Sequence, residues 1–155
     1  MIYVTGDTHG DLSRFDDPRL RNLKPGDTLI ICGDFGFLWN GSKEEMGILK
    51  KLSKKKYNIC FIDGTHENFD MLNKLKNKKW TGGKVHHIAA NIFHLMRGHI
   101  FTIEGTKIFT WVAVKVPILI SVLKWAPGLI WKFPQEMSLL RALTIFRNTA
   151  VRLTL

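Results

Sequence analysis

An α/β fold built on a parallel sheet is what this chain predicts, on three observations. Short apolar, β-branched runs recur at Met1-Ile2-Tyr3-Val4, Thr28-Leu29-Ile30-Ile31-Cys32 and Tyr57-Asn58-Ile59-Cys60-Phe61-Ile62. Segments of helical period separate them, and strand alternating with helix is the pattern of parallel crossover units. Each run also ends in a glycine-bounded turn carrying an acid or a histidine: Gly6-Asp7-Thr8-His9-Gly10-Asp11, Gly33-Asp34-Phe35-Gly36 and Asp63-Gly64-Thr65-His66-Glu67-Asn68. Open parallel sheets gather ligands beyond the carboxyl ends of their strands, so the three turns point to one place.

The first run leads directly into Asp7 and His9. Their alternate spacing lets both side chains converge from one side of the loop, and the flanking glycines allow backbone angles that other residues resist. Alone, Asp-x-His reads first as a capped turn in which Asp7 serves nearby amides. Residues 12–23 mix Arg14, Asp16, Asp17, Arg19 and Arg21 with few apolar positions, and Pro18 breaks them, so a short irregular helix is expected. Lys24-Pro25-Gly26-Asp27 is a turn. The continuous apolar run 28–32 reads as a strand buried on both faces.

Ser42 is a suitable N-cap, with Glu45 placed to close a capping box. Met46, Leu49 and Leu52 keep helical spacing, and Lys54-Lys55-Lys56 suits the negative end of the helix dipole. After the third strand a helix is predicted with Phe69, Leu72 and Leu75 facing in and Lys74, Lys76, Lys78 and Lys79 facing out. A loop at Trp80-Thr81-Gly82-Gly83 follows. Short strands are then expected over 85–88, 91–97, 100–104 and 107–110, with Glu104-Gly105-Thr106-Lys107 as a hairpin turn.

A chain of 155 residues predicts one domain, and 45% hydrophobic with 23% charged residues is ordinary for a soluble globular protein. The formal net charge is +10. Residues 1–110 hold 17 Lys+Arg against 12 Asp+Glu, and residues 111–155 hold 6 against 1, so the tail carries half of the excess. A basic balance admits a nucleic-acid partner, but no stacking platform or reading helix accompanies the lysines, which places that function below the others. Cys32 and Cys60 lie in apolar runs and read as buried free thiols. No signal peptide opens the chain, so a cytoplasmic location is expected.

Together the turns supply Asp7, His9, Asp34, Asp63, Thr65, His66 and Glu67. Carboxylates crowded at one spot are costly without a cation. Two divalent ions about 3.5–4 Å apart would relieve the crowding and clamp a phosphate. Gly6-Asp7-Thr8-His9-Gly10, Gly33-Asp34-Phe35-Gly36 and Gly64-Thr65-His66-Glu67 resemble, in order and spacing, the first three motifs of the calcineurin-like metallophosphoesterases. The longer stretches Gly33-Asp34-Phe35-Gly36-Phe37-Leu38-Trp39 and Asp63-Gly64-Thr65-His66-Glu67-Asn68-Phe69 are similar to a bacterial branch of small stand-alone members.

The resemblance covers residues 1–110 and implies a metallo-dependent phosphatase-like α/β/β/α sandwich, here truncated. It implies that Asp7 and His9 bind a first metal, that Asp34 bridges two, and that His66 sits over the substrate phosphate as the catalytic and substrate-binding histidine. The cofactors implied are two divalent ions (Mn, Fe or Zn), the attacking group a metal-bound hydroxide, and the partner a phosphate-ester substrate. Thr65 stands where the family usually has Asn and is a weak ligand for the second metal. The family completes both metals with later histidines, whereas this chain has no His after His99 and no Asp after Asp70. Gly98-His99 lacks the second His of the family's Gly-His-x-His turn, and His86, His87 and His94 read as ordinary strand residues. Impaired hydrolysis is therefore expected, with a non-enzymatic remnant or weak metal-binding module as the alternative.

Residues 111–155 form an atypical tail. Trp111, Trp125 and Trp131 appear in it, while Asp and His vanish. The stretch 111–131 is apolar, but Lys115, Lys124, Pro117, Pro127 and Gly128 interrupt it, so no membrane span is expected. A shifted reading frame accounts for the change better. Codons for Trp111-Val112-Ala113-Val114-Lys115-Val116-Pro117-Ile118, read from the third base of the Trp codon, permit Gly-Gly-Gly-Lys-Ser-Thr-Asp. That is similar to a Gly-Gly-x-x-Ser-x-Asp stretch the family carries after its Ile-Phe-Thr strand. The reading is a phosphoesterase segment over 1–110 and a tail over 111–155 that is out of frame or poorly ordered.

Overall fold

The computed structural model describes residues 1–110. Along the chain come β1 (Ile2–Thr5), two short 3-10 turns (Leu12–Asp16 and Pro18–Asn22), β2 (Thr28–Cys32), α1 (Lys43–Leu52), β3 (Asn58–Ile62) and α2 (Phe69–Lys74). Five strands follow as β4 (Asn77–Trp80), β5 (Gly83–Ala89), β6 (Ile92–Leu95) and the pair β7 (Ile100–Ile103) and β8 (Thr106–Phe109). Six strands form one mixed sheet in the order β1-β2-β3-β6-β5-β4, and β7 and β8 form a separate two-stranded sheet. The neighbours β1, β2, β3 and β6 are parallel, so their carboxyl ends share one edge; β5 and β4 join antiparallel.

The period-two alternation of strands sorts the apolar side chains into two cores. Tyr3, Leu29, Ile31, Ile59, Phe61 and Ile92 face α1 and α2, where they meet Leu49, Leu52 and Leu72. Ile2, Val4, Ile30, Cys60, Ile62 and Leu95 face the other way, onto Phe101, Ile103 and Ile108 of the β7–β8 pair. Because both faces are covered, the central strands read as unbroken apolar runs. The described residues thus supply helix, sheet and sheet layers of a mixed α/β fold. The fourth layer implied by the resemblance is not found among the described residues, and the expectations for 111–155, no membrane span and a tail out of frame or poorly ordered, fall outside them. Among the described residues, no helix is long and apolar enough to cross a membrane.

The β4–β5 and β7–β8 hairpins turn on left-handed pairs, Thr81-Gly82 and Glu104-Gly105, the φ > 0 geometry of tight two-residue turns. Gly83 is a packing requirement: a Cβ there would lie 2.5 Å from Cζ of Phe101. Cys60 is buried and Cys32 partly so, both as free thiols, and burial pushes their pKa values up.

Several local expectations are corrected. The irregular helix over 12–23 is two 3-10 turns, because Asp17 caps the second before Pro18 can continue the first. The helix after Phe69 stops at Lys74, and Lys78 and Lys79 belong to edge strand β4 instead. Phe69 and Met46 are exposed rather than inward, at 38% and 53%. The capping box is half made. The Ser42 hydroxyl accepts from the Glu45 amide at 3.2 Å, but the Glu45 carboxylate reaches past Ser42 to the amides of Trp39, Asn40 and Gly41.

Candidate metal centre

Three parallel strand ends deliver the site. Asp7 and His9 follow β1, Asp34 follows β2, and Thr65 and His66 follow β3. The two leading loops are clipped together by backbone. The amides of Thr8 and His9 donate to the carbonyl of Asp34 at 3.2 and 2.8 Å, and that of Gly10 donates to the carbonyl of Phe35 at 3.1 Å. The buried Thr8 hydroxyl donates to the same Phe35 carbonyl at 2.7 Å. His9 and Asp34 both adopt left-handed backbone, φ 47° and 45°, a conformation uncommon for residues other than glycine.

Glycines let the loops approach. A Cβ on Gly36 would lie 2.6 Å from the carbonyl carbon of His9, and one on Gly64 would overlap Oδ1 of Asp34 and sit 2.5 Å from its amide nitrogen. Neither neighbour can retreat, since one is backbone and the other a buried ligand.

Asp7, His9 and Asp34 each offer a ligand atom, and these atoms all lie within 4.8 Å of one another. Nε2 of His9 is 3.7 Å from Oδ2 of both Asp7 and Asp34. His66 joins them, with its amide donating to Oδ1 of Asp34 at 2.8 Å and its Nδ1 3.1 Å from Oδ2. Burial works against the charge on Asp34, but the His66 amide and ring, with His9 beyond, outweigh it and hold the carboxyl below its ordinary value. An ionised Asp34 is the state a cation requires. Two carboxylates and one imidazole form a mixed oxygen and nitrogen set that suits borderline divalent ions, so the residues fit the metal the resemblance implies. Thr65 stands apart from this set. Its hydroxyl is 3.2 Å from Nδ1 of His66.

Asp63 and Glu67, drawn from the same turn, hold the loops instead. Glu67 is buried and accepts the Phe35 amide at 2.8 Å, which ties the third turn to the second. Burial pushes its carboxyl up to about 7, and the charges of Asp34 and Asp63 add to the rise against amide bonds from Phe35 and Gly64. A raised folded pKa gives stability that is complete below the unfolded value of 4.5 and is lost as pH climbs through about 7. In chelator-treated protein, Glu67→Gln should therefore match the parent near pH 4.5. At pH 8 it should be more stable by up to about 3 kcal/mol in urea titrations.

Asp63 is 1% exposed and meets residues from β6 and its end. Nε2 of His94 lies 3.1 Å from its Oδ1, and the Arg97 guanidinium donates to its Oδ2. Burial opposes the charge on Asp63, but these two partners hold its pKa down. His94 stacks on Phe61, and its Nδ1 is 3.0 Å from Nδ1 of His86. Burial and the neighbouring His94 lower the pKa of His86. An ionised Asp63 only accepts, so Nε2 of His94 donates to it, and of the two facing Nδ1 atoms one donates and the other accepts. His94 and His86 are thus more than ordinary strand residues. Partners 31 residues apart left no local pattern from which this network could have been read. His87 lies 3.1 Å from Nζ of Lys78, and neither it nor His99 belongs to the ligand set.

A family model described as calcineurin-like phosphoesterase matches residues 1–133. No curated protein and no solved structure matches the chain.

Proposed function

Because the chain belongs to the calcineurin-like phosphoesterase family, we propose that it is a metal-dependent hydrolase of phosphomonoesters or phosphodiesters, impaired in the form encoded here. The observation that carries this reading is the meeting of Asp7, His9 and Asp34 within 4.8 Å, with His66 against Asp34. Asp7, His9 and Asp34 would hold the first divalent ion, and Asp34 would also serve the second. Such ions, Mn, Fe or Zn, supply charge to polarise the phosphoryl group and to activate water. His66, exposed at the mouth of the site, is placed to steady the phosphoryl oxygens or to return a proton to the leaving oxygen. The buried backbone clip between the first two loops orients Asp34 for this work.

Thr65 favours a weaker second reading, a module that holds one ion without turnover. Its hydroxyl faces the His66 ring, and a hydroxyl is a poorer donor to a divalent ion than an amide oxygen. Calorimetric titration with manganese separates the two. Two binding events, together with hydrolysis of p-nitrophenyl phosphate below that of an intact homologue, support the hydrolase. One event without turnover supports the module, and no binding removes both. Asp34→Asn should weaken binding by roughly 100-fold or more.

The proposed boundary at residue 110 and the out-of-frame origin of 111–155 are tested by sequencing the coding DNA across the Thr110–Trp111 junction. A neighbouring frame that encodes a Gly-Gly-x-x-Ser-x-Asp stretch is the expected result. An intact frame with no such neighbour would remove the proposal. The family match runs past this point, to residue 133.

A further inference from the structure

The sheet order that gathers the metal ligands also sets a row of cations on the same edge. Phe61 of β3 pairs with His94 of β6, so Asp63 lies level with Met96. The Met96 amide donates to the carbonyl of Lys84 at the start of β5, and Lys84 stands directly opposite Lys79 of β4. Arg97 follows β6, bound to Asp63, with its guanidinium 5.5 Å from the centre of the exposed Phe69 ring. From β1 to β4 the edge therefore reads Asp7 and His9, Asp34, His66, then Arg97, Lys84 and Lys79. At about 4.8 Å between strands the row extends on the order of 20 Å.

The cations share a face as well as an edge. His86 stacks on His94, which stacks on Phe61 of the helix-side core. Lys84, two residues from His86, and Lys79, its register partner, lie on that same face. Both lysines are exposed, and among the described residues neither has a carboxylate partner. Like charges directly opposite in a sheet destabilise it. A lysine on an edge strand can be explained as a guard against edge-to-edge pairing, but β5 is an interior strand, and Lys84 needs another explanation.

We propose that this row binds an extended chain of phosphates, as in a single-stranded nucleic acid or an inorganic polyphosphate, on Arg97, Lys84 and Lys79, with the chain running on along the edge toward the Asp7–His9–Asp34 centre. Binding rests on the row alone; cleavage of the chain rests on the phosphoesterase reading. The Phe69 ring offers a flat apolar face on which a base can stack, a contact inorganic polyphosphate cannot make.

The test is fluorescence anisotropy of a labelled oligothymidylate with the full chain in chelator, and inorganic polyphosphate as competitor. The parent should bind, and binding should weaken with salt. Lys79→Glu combined with Lys84→Glu should weaken it by about tenfold or more and flatten the salt slope by roughly 1.4, since each single-strand phosphate contact contributes about 0.7. Circular dichroism checks that these exposed substitutions leave the fold intact. Loss of oligothymidylate affinity in Phe69→Ala assigns a nucleic acid; an unchanged Phe69→Ala with stronger competition by polyphosphate assigns the phosphate chain alone. Absence of binding, or parental affinity in the double variant, overturns the proposal. Manganese calorimetry on the same proteins separates the two readings: manganese uptake with no row-dependent binding sinks the row alone, and row-dependent binding in a protein that takes up no manganese sinks the hydrolase alone.

Discussion

Gly64→Ala is expected to abolish divalent-ion binding while leaving the sheet intact. A methyl group at this position overlaps Oδ1 of Asp34 and comes within 2.5 Å of the Asp34 amide nitrogen. Asp34 has no room to yield. Its carbonyl accepts two amides from the first loop, its backbone is already left-handed, and its side chain is engaged by His66. The new methyl group must therefore rotate the carboxylate out of reach of Asp7 and His9, or push the third turn and His66 away. Manganese affinity should fall by about 100-fold or more, read by calorimetry, with an unchanged far-ultraviolet spectrum. Parental affinity in this variant would show that Asp34 is not a ligand.

Asp63→Ala carries the largest expected loss of stability, about 3 kcal/mol in urea titrations. The substitution strands the buried Nε2–H of His94 and releases Arg97. Breaking a fully buried ion pair costs about 3–5 kcal/mol, and the lower end applies here because Arg97 is half exposed and regains water. Asp63→Asn, which keeps one acceptor oxygen, should lose roughly half as much. The sign with pH follows from the depressed pKa of Asp63. The stability it contributes is present above the unfolded value of 3.8 and is lost as pH falls below that through the folded value. The gap between Asp63→Asn and the parent should therefore close in acid. A constant gap from pH 7 to pH 2 would show that the charge of Asp63 contributes nothing.

The central strands and the ligand turns were legible for physical reasons. A strand covered on both faces has to be apolar throughout, and Leu29-Ile30-Ile31 and Ile59-Cys60-Phe61-Ile62 are. A loop that must accept another loop's backbone needs glycine, which marked Gly10, Gly36 and Gly64 beside their ligands. Edge strand β4 was not legible, because Asn77-Lys78-Lys79 carries no apolar alternation. Its place is fixed by pairing with β5 and by the Trp80 ring packed on Phe93. The roles of Asp63 and Glu67 were hidden for a related reason. Both were visible as acids near the site, but what makes them braces is a partner distant in sequence: His94 for one and the Phe35 amide for the other.

The clip between the loops after β1 and β2 has a consequence for how an ion arrives. Four hydrogen bonds fix the relative positions of Asp7, His9 and Asp34 without any help from a guest. Capture then demands little new ordering of the chain, so most of the free energy of coordination is available as affinity. The backbone that carries these side chains is a finished mould rather than one cast around its contents, and removing the ion should leave the polypeptide folded.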